Sequence, residues 1–119
     1  MPSTNDHLKW AQGIERDIEP MLNADVLNWT AVAIFYSAMH YVQAYLVNAG
    51  YPQVNDHRKR NWLVNSDAQL RRVAPAYNRL FDIGWNCRYI GMVPKRQVLM
   101  ALKETDLPQV RSCVLPYLT

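Results

Sequence analysis

Residues 28–50, NWTAVAIFYSAMHYVQAYLVNAG, are apolar nearly all the way round a helix. At helical pitch Trp29, Val32, Ala33, Tyr36, His40, Gln43 and Val47 share one side, and Ala31, Ile34, Ala38, Val42 and Tyr45 share the opposite one. Phe35, Met39 and Leu46 lie between them, and only Thr30, Ser37, Tyr41 and Asn48 form a narrow polar stripe. A helix of this kind belongs inside a protein rather than on its surface. At 1.5 Å per residue it is about 35 Å long, the height of a small bundle, so it predicts a central post with other helices around it. Ser37, His40 and Gln43 interrupt the stretch, and the remainder of the chain is amphipathic, which favours a protein core over a membrane span.

The punctuation on either side is helical too. Ser3, Thr4 or Asn5 can cap a first helix through Leu8, Trp10, Ala11, Ile14 and Ile18, which is expected to end before Pro20. Asn23 or Asp25 is expected to cap the central helix, and Gly50 to stop it in the left-handed region. Asn55 or Asp56 starts a third helix, and Ser66-Asp67 breaks it. Pro75 suits the first turn of a further helix whose inner stripe is Tyr77, Phe81, Gly84 and Arg88, with Gly84 admitting a close neighbour and Gly91 ending the run. Pro94 opens a short helix, and Asp106 with Pro108 opens a last one with Val110, Val114 and Leu118 inward. No segment sustains period-two alternation. The expectation is one all-α domain over residues 1–119, an up-and-down bundle of four to six helices.

Charge is distributed unevenly. Residues 57–96 carry nine Lys or Arg against two acids, a balance of +7, while the rest carries four against eight, a balance of −4. That asymmetry fits an anionic partner for the middle of the chain, or a solvated basic face. Cys87 and Cys113 form no CxxC, and the polar start, MPSTNDHLKW, has no apolar signal core, so a cytoplasmic setting is expected. The three histidines are dispersed and no metal-ligand cluster, Gly-rich phosphate loop or nucleophile elbow is present, so neither metal nor cofactor is expected.

Three local constellations remain. Tyr36 and His40 lie one turn apart on the central helix, either as satisfied core groups or as part of a site. His57 and Arg60, three apart in His57-Arg58-Lys59-Arg60, share a face near a helix N-terminus. There a guanidinium and backbone N–H groups can hold an anion, or Arg60 can salt-bridge to an acid of the first two helices. Arg88 continues the stripe of Tyr77 and Phe81, so it is expected to be partly buried on a carboxylate, a carbonyl or a phosphate.

Taken together, WTAVAIFYSAMHYVQAYLVNAG, then HRKR, then YNRLFDIGWNCRY resemble HEPN-domain proteins over about residues 28–91. The resemblance implies a helical bundle, commonly dimeric. It implies either a metal-independent ribonuclease of toxin–antitoxin or defence systems, or a non-catalytic member that binds RNA, a nucleotide or a nucleotidyltransferase-type partner protein. The chain departs from the signature of the ribonucleases, an arginine followed four to six residues later by a histidine, because no arginine stands so before His7, His40 or His57. If the chain cleaves RNA, His57 is the expected general acid or base and Arg60 the group that stabilises phosphoryl charge. Arg58, Lys59 and Arg88 are the expected nucleic-acid contacts, with Tyr36 and His40 in support. The alternative is a non-catalytic homodimeric interaction module.

Overall fold

In the computed structural model, which describes residues 2–118, the central helix is flanked on three sides. Helix α1 (Thr4–Asn23) and α2 (Leu27–Asn48) form an antiparallel hairpin. Then come α3 (His57–Ser66), a 3-10 turn (Leu70–Val73) and α4 (Ala74–Tyr89). A last rod follows, made of α5 (Arg96–Ala101), a π turn (Leu102–Asp106) and α6 (Leu107–Val114), with a closing 3-10 turn (Leu115–Tyr117). There is no strand among the described residues. The all-α bundle expected from the sequence is what forms, with a radius of gyration of 13.5 Å.

Helix α2 contacts α1, α4 and α6, and fourteen of its residues are buried. Tertiary packing is what holds it, since its N-cap, Val26, offers no side-chain hydrogen bond. Asp25 does not cap it as expected. It adopts a left-handed φ of 62° in the α1–α2 corner, and its carboxylate takes the Arg96 guanidinium at 2.7 Å. Helix α1 does not end before Pro20 either. Burial of Ile18 and Leu22 on either side of the proline holds one further turn, and the Ala24 N–H returns to the Pro20 carbonyl at 3.0 Å.

The remaining punctuation follows the chemistry of the residues. Asp56 caps α3 by accepting from the Arg58 and Lys59 N–H groups, and Gly50 and Gly91 supply positive φ after α2 and α4. Asp67 ends α3 and accepts from the Gln69 and Leu70 N–H groups and from the Tyr45 and Tyr51 hydroxyls. Gly84 sits against Phe35 of α2, where a Cβ would lie 2.8 Å from the Phe35 Cβ. The two C-terminal helices expected from the sequence are one continuous rod. Pro108 cannot donate to a carbonyl one turn back, and the widened π turn before it accommodates the missing donor without ending the helix. Asp106 is buried in that turn and takes the Arg79 guanidinium through both carboxylate oxygens.

Three of the four residues of the polar stripe of α2, Thr30, Ser37 and Tyr41, are inside, bonded to the Val26 carbonyl, the Ala11 carbonyl and the Glu15 carboxylate, and Asn48 is exposed. The edge left open is the line of Trp29, Ala33, Tyr36 and His40. No described helix is long and apolar enough to cross a membrane.

Candidate functional site

Arg60 meets one of the three histidines, His57. The Arg60 side chain is 4% exposed and has no carboxylate partner among the described residues. Three neutral acceptors hold it instead. Nε donates to the Gln43 Oε1 at 3.2 Å, Nη2 to the Val54 carbonyl at 3.3 Å, and Nη1 lies 3.0 Å from the His57 Nδ1. Gln43 in turn donates from Nε2 to the same Val54 carbonyl at 2.8 Å, so α2, α3 and the loop between them are tied at one point. The buried Tyr77 hydroxyl has no hydrogen-bond partner among the described residues; burial pushes its phenol pKa up, and the Arg60 charge opposes that.

The contact between Arg60 and His57 fixes the state of the imidazole. A guanidinium nitrogen only donates, so the His57 Nδ1 must be the acceptor, and the ring's proton must sit on Nε2. Burial lowers the His57 pKa, and the charges of Arg60 and Arg88 lower it further. The neutral Nε2–H form is therefore the one this surrounding selects. The ring is in contact with Phe35, Phe81 and Trp85, at centroid distances of 5.9, 5.7 and 5.9 Å.

Elsewhere on the hairpin, His7 of α1 and His40 of α2 meet Nδ1 to Nδ1 at 3.1 Å, with stacked rings, and Trp10 packs edge-on to both. One Nδ1 must donate and the other accept, which requires a shared proton and at most one positive charge. Burial, the facing imidazole and Arg60 push His40 down to about 4, and burial followed by Arg60 lowers His7. No group of three or more metal-ligating side chains exists among the described residues.

From His57 outward the surface is aromatic and cationic. Phe81 stacks on Trp85 at 5.6 Å, Trp85 meets Tyr89 at 4.4 Å, and the Arg88 guanidinium lies 5.1 Å from the Tyr89 ring centre and 5.4 Å from that of Tyr36. Arg88 also donates to the Tyr36 hydroxyl. Contrary to the expected partial burial, the C-terminal turn of α4 leaves Arg88 exposed, riding on two rings. An open groove of about 560 Å³ runs between Asp56, His57, Arg58, Asn61, Phe81 and Trp85.

Of the residues singled out by sequence, the fold thus pairs His57 with Arg60 and Tyr36 with Arg88, while His40 pairs with His7 instead. Arg58 and Lys59, between His57 and Arg60 in the chain, are exposed, without a carboxylate partner among the described residues. Two of the nine basic residues do not contribute open charge, because Arg79 and Arg96 are neutralised by Asp106 and Asp25 from outside the basic segment. Sequence reading placed Gln43 on the face of Tyr36 and His40, and Phe81 on the stripe of Arg88, without giving either a role in the site, and it missed His7 and Trp85. Compared with known proteins, the chain matches no family model and no curated protein.

Proposed function

We propose that this protein engages single-stranded RNA or a nucleotide through the face built from α3, the C-terminal half of α4 and the open edge of α2, as a HEPN-like binding domain. The observation that carries this reading is the interleaving of exposed aromatic rings, Trp85 and Tyr89, with the cations Arg58, Lys59 and Arg88, none with a carboxylate partner among the described residues, beside an open groove. Rings offer stacking surfaces to any base, and cations hold the phosphates between them.

Cleavage through His57 finds less support in the geometry than binding does. A general base needs a free lone pair, and the only one on the neutral ring, at Nδ1, is taken by Arg60. Arg60 itself points inward, where it reaches no bound phosphoryl group. The reading is therefore of binding without His57-driven hydrolysis. Fluorescence anisotropy with a labelled single-stranded RNA in EDTA, followed by a gel of the same sample, tests it. Retention of intact RNA is the expected outcome. Cyclic-phosphate products that vanish in His57→Ala would replace binding with catalysis.

A second reading rests on a separate observation. Val26 and Trp29 at the α1–α2 corner and Ile90 and Val93 after α4 are exposed, and the Arg96–Asp25 pair ties the corner to the segment that follows Val93. Large apolar groups left open at one end of a bundle suit a second copy or a partner protein such as a nucleotidyltransferase. Sedimentation at micromolar concentration separates a dimer from a 13.8 kDa monomer.

A further inference from the structure

The groove beside His57 combines three features that a phosphate site alone does not need. One wall is a stacked aromatic pair, Phe81 and Trp85, whose indole remains 41% exposed. The His57 ring stands edge-on to that indole, its planes at 89°. Its Nδ1 is committed inward to Arg60, so the ring edge left for the groove is the one carrying Nε2–H. Arg58, one residue along α3, lines the same groove.

We infer that the groove is a nucleobase slot: the base stacks on Trp85, His57 donates from Nε2 to an acceptor on the base edge, and Arg58 takes the attached phosphate. This deepens the reading of the protein as an RNA- or nucleotide-binding domain and rests on it. Arg60 acts in the slot as a positioning residue. It touches no ligand, but its Nη1–H holds His57 in the one neutral tautomer that can donate outward. Every nucleobase carries a ring nitrogen or carbonyl acceptor on an edge, so the slot selects a base over a bare sugar phosphate without selecting among bases. A phosphate site would need only the cation, and a stacking surface would need only the indole.

The test is a titration of the full chain, labelled with nitrogen-15, with adenosine 5′-monophosphate and separately with ribose 5-phosphate. The Trp85 indole N–H and the His57 ring nitrogens are observed directly. The slot predicts that the free protein shows the Nε2–H tautomer of His57. The nucleotide should shift both the Trp85 and His57 signals, while ribose 5-phosphate leaves Trp85 in place and binds at least tenfold more weakly. Trp85→Ala should weaken nucleotide binding about ten- to a hundredfold, the usual scale for removing a base–aromatic stack, and Trp85→Phe should restore most of it. Equal binding of the two ligands, or an Nδ1–H tautomer in the free protein, overturns the slot. Those results leave the broader reading intact if single-stranded RNA is still retained in a salt-dependent way. Loss of RNA retention as well overturns both.

Discussion

Gly84→Ala places the most direct stress on the contact between α2 and α4 that positions the site. Two effects oppose one another. Alanine is the better helix former, worth about 1 kcal/mol over glycine in a helix interior. Against that, the new methyl would stand 2.8 Å from the Phe35 Cβ, where ordinary carbon contacts need at least 3.4 Å. The atom met is a Cβ, fixed to the backbone of a buried helix, so no rotamer change removes the clash; α4 must move by several tenths of an ångström. Overpacking of this kind costs about 1–3 kcal/mol, and a clash between two Cβ atoms falls in the upper part of that range, about 2–3, for a net loss of about 1–2 kcal/mol. On a domain of this size that lowers the melting temperature by about 4–12 °C. Thermal unfolding followed by far-ultraviolet circular dichroism measures it. Because Phe35 also touches His57, Tyr77 and Phe81, the same variant should broaden or shift the His57 ring signals. A melting temperature equal to or above that of the parent would refute the close approach, since only the propensity term would then remain.

Three other outcomes follow from the geometry. Stability should fall as the pH drops from about 6.5 toward 4: His40 is held neutral in the fold, so the unfolded chain takes up its proton first. The full shift corresponds to about 3 kcal/mol, which solvent at the open edge of the ring reduces to about 1–2, and His40→Gln should flatten that part of the denaturation-against-pH curve. Asp67→Ala should cost about 2–3 kcal/mol in urea unfolding, because it leaves the Tyr45 and Tyr51 hydroxyls and the Gln69 and Leu70 N–H groups without their shared acceptor. Asp106→Ala, which removes a buried carboxylate bonded twice to Arg79 in the π turn, should lower the urea midpoint, whereas Asp25→Ala, which removes an exposed one, should change it little.

Much of the architecture is legible in the chain. The all-round apolar character of 28–50 marks a buried helix wherever it occurs, and Gly50, Asp56, Asp67 and Gly91 break the chain by local chemistry that needs no tertiary partner. What periodicity cannot reveal is which side of such a helix stays open. Thr30, Ser37 and Tyr41 read only as a narrow polar stripe, and each hydroxyl finds a carbonyl or carboxylate across or along the hairpin, so burial costs them little. Pro20 and Pro108 read as helix boundaries, but packing of Ile18 and Leu22 in one case and a π turn in the other carries the helix past them. The pairing of His7 with His40 across 33 residues has no local signature at all. His57 and Arg60 are legible as a pair from their spacing. That Arg60 turns inward follows from Gln43 and the Val54 carbonyl, which reach it only once the loop after α2 folds back.

The central claim, that the α3–α4 face holds a single-stranded nucleic acid by its phosphates and bases, is tested most directly by the salt dependence of binding. The logarithm of the affinity for a single-stranded RNA, measured against the logarithm of salt concentration, should fall linearly. Replacing Arg58, Lys59 and Arg88 together by Ala should reduce the steepness by about 2, near 0.7 for each phosphate left without its cation, while the circular dichroism spectrum stays unchanged. An unaltered slope in the folded triple variant would contradict the account, because those cations would then be a solvated surface and nothing more.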